Sequence, residues 1–422
     1  MDKIVVEGGK KLKGEVRVSG AKNATLPIMA AALLTDEPSR IENVPDVQDV
    51  ATMLKILSFL GAKVDYSDHV LEIKPGRKLN AFAPYHLVST MRASFCVLGP
   101  TLARCGRGEV SLPGGCVIGA RPIDLHLKGL ETLGASITID HGYVRAQSKN
   151  GLRGGVVYLG GKFGSSVLAT ANVLMAATLA RGRTYIECAA CEPEVVDLAD
   201  FLVKMGAKIK GQGSHLIEIE GVRKLRGVQH TVIPDRIEAG TFMVAGAIVK
   251  GSDVVVRGCD LDHSRALVDK LTQAGVVVQR MESGARIRRN GTLRPEDITT
   301  HPYPGFPTDL QAQMMALLTV TPGISVITEK IYPDRFMHVS ELNRMGSRIF
   351  LEGSSAIVHG ARRLSGAPVM ASDLRASAAL ILAGLAAEGT TEIQRIYHLD
   401  RGYERIEEKL SLLGANIKRV KA

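Results

Sequence analysis

Blocks of hydrophobic and polar positions recur six times along the chain. Six apolar runs with helical spacing are rich in Ala, Met, Leu and Val, which is typical of helices buried in a core. Each run leads into a short β-branched segment, then a second helix and another strand. The runs are 26–34, 93–103, 170–180, 240–249, 311–320 and 376–387. The pattern predicts an α/β repeat of helix, strand, helix and strand, with one further strand closing each copy.

A glycine ends the second helix of every copy and sets the period. Glycine at this place is the expected left-handed helix stop that feeds a strand. The six glycines are spaced 73, 72, 69, 71 and 68 residues apart: Gly61, Gly134, Gly206, Gly275, Gly346 and Gly414. A period of about 70 residues exceeds that of solenoids and favours pseudo-symmetric packing inside globular domains.

A recurring leucine indicates how the copies are grouped. It occurs at the same phase in all six, as Leu12, Leu79, Leu152, Leu225, Leu293 and Leu364. The first lies in the N-terminal segment, whereas the sixth copy stops short, so we expect residues 1–21 to complete the sixth copy. Three copies per domain then predict one domain of residues 22–229 and another of 230–422 plus 1–21. A cleft between them is the expected ligand site.

Composition narrows the class of protein. Of the 422 residues, 45% are hydrophobic and 23% charged, which supports a large folded core and excludes a disordered chain. The apolar stretches are too short to span a bilayer, and the N-terminus lacks the apolar core of a signal peptide. We therefore expect a cytoplasmic protein without membrane association.

The cysteines indicate neither a disulfide framework nor a metal site. Six cysteines are too few for a framework in a chain of this length. Cys188 and Cys191 have the CxxC spacing, but no second pair or suitably spaced histidines lie nearby. No metal and no cofactor are therefore expected.

The net charge of +10 leaves two kinds of partner open. Nucleic acid is one, although the basic residues are scattered and form no long run or aromatic-interleaved stripe. A small, strongly anionic substrate held by several arginines explains the excess equally well.

Polar residues collect where the apolar helices begin. Helix N-termini present unpaired N–H groups and partial positive charge, so they suit phosphates and carboxylates. The alternatives are simple N-caps for the aspartates and solvated surface charge for the cations. The residues are Lys22, Asn23, Arg92, Lys162, Asp235, Arg236, Asp309, Asp373 and Arg375, and the second helices add Arg121, Glu192, Arg335 and Arg401.

Cys116 lies in a Gly- and Pro-rich loop that no other copy contains. From strand residue to helix-ending glycine the other copies count 20 or 21 residues, but Val110 to Gly134 is 24. Arg121 follows five residues on, and a nearby cation favours the thiolate, which suits a proton donor or nucleophile. An inert surface cysteine is the alternative, but the insertion favours a catalytic lid.

Several long motifs resemble the UDP-N-acetylglucosamine enolpyruvyl transferases (1-carboxyvinyltransferases) of the enolpyruvyl transferase family. The motifs cover residues 19–24, 113–126, 305–313, 335–339, 372–377 and 400–404. The resemblance implies a two-domain inside-out α/β barrel of six repeats. It also implies transfer of enolpyruvyl from phosphoenolpyruvate to the 3′-hydroxyl of UDP-N-acetylglucosamine, the first committed step of peptidoglycan synthesis.

The resemblance also implies roles for individual residues. Cys116 would be the general acid and Asp309 the base, with Lys22, Arg401 and Asp373 completing the catalytic set. Phosphoenolpyruvate would be held by Lys22, Asn23, Arg121, Arg335, Arg375 and Arg401. UDP-N-acetylglucosamine would contact Asn23, Arg92, Arg121, Pro122, Ile123, Asp124, Leu125, Lys162, Gly164, Ser165, Asp309 and Ile331.

Two points qualify the resemblance. Residues 163–166 read Phe-Gly-Ser-Ser, where the family pattern has Val-Ser-Val-Gly, so this chain departs from the pattern at Gly164 and Ser165. The shikimate-pathway enolpyruvyl transferases share the fold and chemistry and are the nearest alternative, but they lack such a cysteine loop. The expected partners are the two small substrates, and the expected state is a monomer or weak homo-oligomer.

Overall fold

The computed structural model of the protein describes residues 2–114, 123–361 and 363–421. These residues form two compact units. One contains the described residues up to Ser19 and from Pro234 onwards, and we call it the terminal unit. The other contains the described residues from Gly20 to Ile233, and we call it the central unit.

Helices occur throughout both units. The α-helices are α1 Lys22–Ala31, α2 Gln48–Phe59, α3 Tyr85–Val88, α4 Leu98–Cys105, α5 Asp124–Thr132, α6 Val167–Ala177, α7 Pro193–Lys204, α8 Arg236–Ile248, α9 Arg265–Gln273, α10 Gln311–Thr319, α11 Val339–Arg344, α12 Leu374–Ala386 and α13 Ile406–Leu412. Short 3₁₀ helices are Ala32–Leu34, Arg92–Val97, Leu261–Ser264, Thr308–Leu310 and Ile396–Arg401.

The strands are short. They are β1 Asp2–Glu7, β2 Lys13–Arg17, β3 Ser39–Glu42, β4 Ala62–Ser67, β5 Val70–Pro75, β6 Phe82–Ala83, β7 Arg107–Ser111, β8 Ser136–Asp140, β9 Tyr143–Gln147, β10 Val156–Tyr158, β11 Gly160–Gly161, β12 Gly164–Ser165, β13 Arg183–Glu187, β14 Lys208–Lys210, β15 Leu216–Glu220, β16 Gln229–Thr231, β17 Asp253–Arg257, β18 Val277–Met281, β19 Gly284–Arg288, β20 Ile298–Thr299, β21 Ile324–Thr328, β22 Arg348–Glu352, β23 Ser355–His359, β24 Pro368–Met370, β25 Thr390–Gln394 and β26 Asn416–Lys421.

The four-stranded sheets share one topology. In each sheet, the closing strand of one copy pairs in parallel with the first strand of the next copy. On its other side, this first strand pairs antiparallel with one strand of a β-hairpin. The orders are β16-β3-β5-β4, β6-β7-β9-β8 and β10-β13-β15-β14 in the central unit. In the terminal unit they are β2-β17-β19-β18, β20-β21-β23-β22 and β24-β25-β1-β26. Each unit is therefore a closed cycle of three copies.

Two strands close these cycles from a distance in sequence. β2 pairs with β17, and β16 pairs with β3, in both cases in parallel. The predicted domain boundary after residue 229 therefore cuts β16, whereas the central unit continues to Ile233. Residues 221–227 have the pattern Gly-x-x-x-Leu-x-Gly, as do residues 8–14 and 360–366, and they resemble the end of a copy. The strand that follows them, β16, still belongs to the sheet of β3.

Three helices lie at the centre of each unit, and the sheets lie outside them. In the terminal unit α8, α10 and α12 pack against one another, and in the central unit the helices starting at Lys22, Arg92 and Val167 do so. These helices are buried on nearly every face because the sheets cover them. The strands alternate buried and more exposed positions, as in β17 and β21. This is the inside-out arrangement that the resemblance implies.

Glycines allow the chain to pass close to the ends of the inner helices. A Cβ at Gly221 would overlap the carbonyl oxygen of Ala180, and one at Gly360 would overlap that of Thr321. Both glycines open the Gly-x-x-x-Leu-x-Gly motif, whose leucines Leu225 and Leu364 are buried. The repeat marker therefore has a packing role. Among the described residues, no helix combines the length and apolarity needed to cross a bilayer.

Candidate active site

Aspartates mark the starts of all three inner helices of the terminal unit, but they do not act alike. Asp235 accepts hydrogen bonds from two backbone N–H groups of α8, and Asp373 does the same for α12. Both are therefore N-caps, the simpler of the two predicted roles. Asp309 lies in the 3₁₀ turn before α10 and is the N-cap residue of neither helix.

The carboxylate of Asp309 instead lies between two guanidinium groups. One oxygen accepts a hydrogen bond from Arg335 Nη1 at 2.8 Å, and the other accepts one from Arg375 Nη2 at 2.9 Å. Both arginine side chains are at most 5% exposed, while that of Asp309 is 28% exposed. The arginines are therefore fixed in the protein, and part of the carboxylate stays open to a ligand.

Charge controls the ionisation of this cluster. Burial acts to raise the pKa of Asp309, but the charges of Arg375 and Arg335 outweigh it and hold that pKa well below its ordinary value. Burial acts to lower the pKa of Arg375, and the charge of Asp309 outweighs it in turn, so that pKa is raised. Asp309 is therefore ionised and both arginines stay charged at neutral pH.

Asp373 belongs to the same charged region. Its charge helps to raise the pKa of Arg335, after the larger effects of burial and Asp309. Burial lowers the pKa of His398, and the charges of Arg401 and Asp373 act on it in opposite directions. The terminal unit thus brings together four predicted residues, Asp309, Arg335, Asp373 and Arg375, and Arg401 lies on a 3₁₀ helix that packs against α12.

Glu329 supports this region and was missed in the sequence. Its fully buried carboxylate accepts hydrogen bonds from the hydroxyls of Thr300 and Thr308 and from the backbone N–H groups of Ile331 and Tyr332. Glu329 therefore fixes the segment that carries Ile331, a predicted sugar-nucleotide contact. A single glutamate after a strand has no motif that would reveal this role.

In the central unit, the first inner helix begins with a buried cation. Lys22 Nζ lies 3.0 Å from Asp49 Oδ2, and the two side chains are 10% and 5% exposed. Asp49 belongs to the first turn of α2 and Asn23 follows Lys22 in α1. The sequence did not point to Asp49, because an acidic residue in a first helical turn is common.

Arg92 begins the second inner helix and lies near a buried histidine. His126 Nδ1 lies 3.1 Å from Asn172 Nδ2, and Asn172 Oδ1 accepts a hydrogen bond from the N–H of Gly99. Since the Gly99 N–H can only donate, the amide nitrogen of Asn172 has to face His126, whose Nδ1 is then the acceptor. Burial, reinforced by the charge of Arg92, lowers the pKa of His126 to about 3.

The third inner helix differs from the prediction. Lys162 does not open α6; it lies in the exposed turn between β11 and β12, and Ser166 is the N-cap of α6. The extra ribbon β11–β12 separates the lysine from the helix. Gly164 needs its φ of +95° to shape this ribbon, and Ser165 pairs with Gly160.

The start of α5 carries further predicted contacts. Asp124 is the first residue of α5, Ile123 precedes it, and Leu125 lies beside Gly161 of the ribbon. The central unit thus brings Leu125 together with the ribbon that carries Lys162, Gly164 and Ser165. Cys116, Arg121 and Pro122 lie outside the described residues.

The sequence model of the EPSP synthase (3-phosphoshikimate 1-carboxyvinyltransferase) family matches residues 6–410. The crystal structure of the enolpyruvyl transferase NikO from Streptomyces tendae is similar, with a TM-score of 0.90, 26% identity and 100% and 99% coverage of the two chains. EPSP synthase from Acinetobacter baumannii shares the fold, with a TM-score of 0.76, 20% identity and full coverage of both chains. The chain belongs to this family of carboxyvinyl transferases.

Relatives define the chain's place more narrowly. UDP-N-acetylglucosamine 1-carboxyvinyltransferase 2 of Carboxydothermus hydrogenoformans is 56% identical over 422 residues, covering 100% of both chains. The UDP-N-acetylglucosamine 1-carboxyvinyltransferase of Methylacidiphilum infernorum is 55% identical over 420 residues, covering 100% of this chain and 99% of the relative. The resemblance drawn from the sequence motifs is therefore confirmed, as is the fold it implied.

Proposed function

We propose that the protein transfers the enolpyruvyl group of phosphoenolpyruvate to the 3′-hydroxyl of UDP-N-acetylglucosamine and releases phosphate. The observation that carries this proposal is the 55–56% identity to carboxyvinyltransferases of this specificity along the whole chain. The role in the cell is then the first committed step of peptidoglycan synthesis, which serves cell shape and division.

The reaction is an addition followed by an elimination. A proton from Cys116 goes to the methylene carbon of phosphoenolpyruvate, which makes carbon 2 electrophilic. The sugar 3′-oxygen bonds to carbon 2 as its proton passes to Asp309. In the elimination a methyl proton returns to the Cys116 thiolate, and the electron pair of that C–H bond restores the double bond. The bond from carbon 2 to the phosphate oxygen breaks, and phosphate leaves with its electron pair and takes up the proton held by Asp309. A covalent phospholactoyl adduct on the Cys116 sulfur remains the alternative use of that thiol.

The geometry around Asp309 suggests how substrate binding activates this base. In the free site Arg335 and Arg375 keep its pKa low, so it holds a proton poorly. Phosphoenolpyruvate brings a carboxylate and a phosphate, and their binding by Arg335, Arg375 and Arg401 offsets the positive charge that Asp309 experiences. The proton affinity of Asp309 then rises only when the substrate is present.

The central unit supplies the remaining contacts of the proposal. Lys22 and Asn23, with Arg121, bind phosphoenolpyruvate. The nucleotide sugar contacts Asn23, Arg92, Lys162, Gly164, Ser165 and residues 121–125, with Ile331 and Asp309 from the terminal unit. We further propose a cytoplasmic location, where both substrates occur, and a monomer or weak homo-oligomer. Cell fractionation and light scattering test these two points.

A phosphate-release assay with the two possible acceptors tests the function. With phosphoenolpyruvate present, UDP-N-acetylglucosamine should support turnover and shikimate 3-phosphate should not. Turnover with shikimate 3-phosphate alone would assign the protein to the shikimate pathway instead.

The role of Cys116 has its own test. Cys116→Asp should keep general-acid activity but resist inactivation by the epoxide fosfomycin, because a carboxylic acid can donate a proton and lacks the nucleophilic sulfur. Peptide mass mapping of the wild-type protein should find the epoxide on Cys116. Labelling of another cysteine first, or a completely inactive Cys116→Asp variant, would contradict the proposed role.

A further inference from the structure

The carboxylate of Glu329 accepts hydrogen bonds from the turn that contains Asp309 and from the segment that leads to Arg335. Its Oε1 accepts from Thr300 Oγ1 at 2.6 Å and from the backbone N–H groups of Ile331 at 2.8 Å and Tyr332 at 3.0 Å. Its Oε2 accepts from Thr308 Oγ1 at 2.9 Å. The two oxygens therefore have different partners, and only Oε2 faces the turn that contains Asp309.

The hydroxyl of Thr308 links Glu329 to Arg335. A hydroxyl carries one proton, and that of Thr308 is donated to Glu329. Its oxygen consequently accepts from Arg335 Nη1 at 3.0 Å, and the same Nη1 donates to Asp309 at 2.8 Å. The Tyr332 ring, whose backbone Glu329 also holds, lies 6.0 Å from the Arg335 guanidinium.

We propose that Glu329 is a positioning residue for the Arg335–Asp309 pair and that it acts through the hydroxyl of Thr308. The proposal rests on the function proposed above, in which Asp309 receives the proton of the acceptor and Arg335 binds phosphoenolpyruvate. Glu329 is fully buried and hydrogen-bonds to neither residue of the pair directly. Its influence is geometric, because it fixes the rotation of one hydroxyl.

Glu329→Gln tests the orientation with almost no change in volume. The amide oxygen has to take the Oε1 position, because the two backbone N–H groups there can only donate. The amide nitrogen then faces Thr308, whose proton loses its acceptor. We expect kcat, or kcat/KM for phosphoenolpyruvate, to fall by about 10- to 100-fold, as for a small displacement of reacting groups. KM for UDP-N-acetylglucosamine should stay within about twofold, since the contacts to the Ile331 segment are kept.

Thr300→Val is the matched control, because it removes the other hydroxyl from Glu329 and leaves the Thr308 link intact. It should lower the melting temperature while leaving kcat/KM for both substrates close to that of the wild-type protein. A parallel fall of kcat/KM for both substrates in Glu329→Gln and Thr300→Val would overturn the proposal, since general loosening would then explain the effect.

A double-mutant cycle identifies the route. Thr308→Val removes the hydroxyl and should abolish the further effect of Glu329→Gln, so the double variant should match Thr308→Val alone. Additive losses would overturn the route through Thr308. If Glu329→Gln does not fold, Thr308→Ser and Thr308→Val decide: serine should retain kcat, valine should not, and equal values would overturn the proposal. All comparisons use the wild-type turnover of UDP-N-acetylglucosamine as reference, and absence of that turnover would refute the proposed function instead.

Discussion

The two units differ in the charge at the starts of their inner helices, where the terminal unit has three aspartates and the central unit has two cations and a serine. In the terminal unit the inner helices begin with Asp235, Asp309 and Asp373, and arginines supply the balancing charge. In the central unit they begin with Lys22, Arg92 and the Ser166 cap, and none has an acidic residue in its first turn. The repeat thus determines the positions of these side chains but not their charge.

The source of the balancing charge also differs. Asp309 is paired by Arg335 and Arg375, whereas Lys22 is paired by Asp49 from an outer helix and Arg92 lies beside a neutral histidine. The terminal unit therefore places two cations on one carboxylate, whereas in the central unit the Asp49 carboxylate pairs with Lys22. This difference fits the proposed roles of the two units. In the terminal unit, binding of an anion would raise the proton affinity of Asp309, whereas the central unit would only bind anions.

The largest effect is expected from Asp309→Asn. The amide has the same shape but cannot accept the proton of the acceptor hydroxyl, so kcat should fall by about 10²- to 10⁴-fold. Phosphate release at saturating substrate measures it. Asp235→Asn is the matched control, since asparagine caps a helix as well as aspartate does. Equal losses in the two variants would show that the two aspartates are not functionally different.

Removal of Asp49 tests the buried cation of the central unit. Asp49→Ala leaves Lys22 buried without its ion-pair partner, which should lower the free energy of unfolding by about 3 kcal/mol or more. Urea denaturation measures the change. The matched control is Glu392→Ala, which breaks the more exposed pair with Lys3 and should cost less than about 1 kcal/mol. Similar costs for both would contradict the importance assigned to burial.

Between pH 5 and 8, the smallest effect on stability concerns the neutral histidine beside Arg92. The pKa of His126 is lowered from 6.5 to about 3 on folding, so the unfolded chain binds the extra proton between these values. Stability should therefore rise with pH across this window, by at most about 1.4 kcal/mol per pH unit, and level off above it.

Unfolding free energies between pH 5 and 8 test this dependence. His126→Gln should remove its share of the slope, because the amide does not titrate in this range. Identical slopes in the wild-type protein and His126→Gln would refute the assignment of a neutral buried histidine.

The repeat could be predicted from local sequence patterns, whereas the pairings between distant residues could not. Each glycine and leucine marker reports a turn or a buried position within its own copy, so the period could be read along the chain. The pairing of β16 with β3 joins Gln229 to Arg40, and nothing near either residue encodes it. Likewise, Asp309 stood out through its motif, but its two arginines come from other elements.

The supporting residues were harder to find for the same reason. Asp49 and Glu329 are single acidic residues whose partners lie far away in sequence. Lys162 was placed at a helix start because the ribbon β11–β12 has only two residues in each strand, too few for a period to emerge.

The pairing of β1 sets an order for folding during protein synthesis. β1 is synthesised well before β25 and β26, so it cannot pair until those two strands have been made. The central unit is complete once Ile233 has emerged and can fold while the N-terminal segment is still unpaired. Because Asp2 pairs with Lys421, a short linker could join β26 directly to β1. In a circular permutant that is joined in this way and begins at Gly20, each unit would be continuous in sequence, and β1 would be synthesised directly after β26.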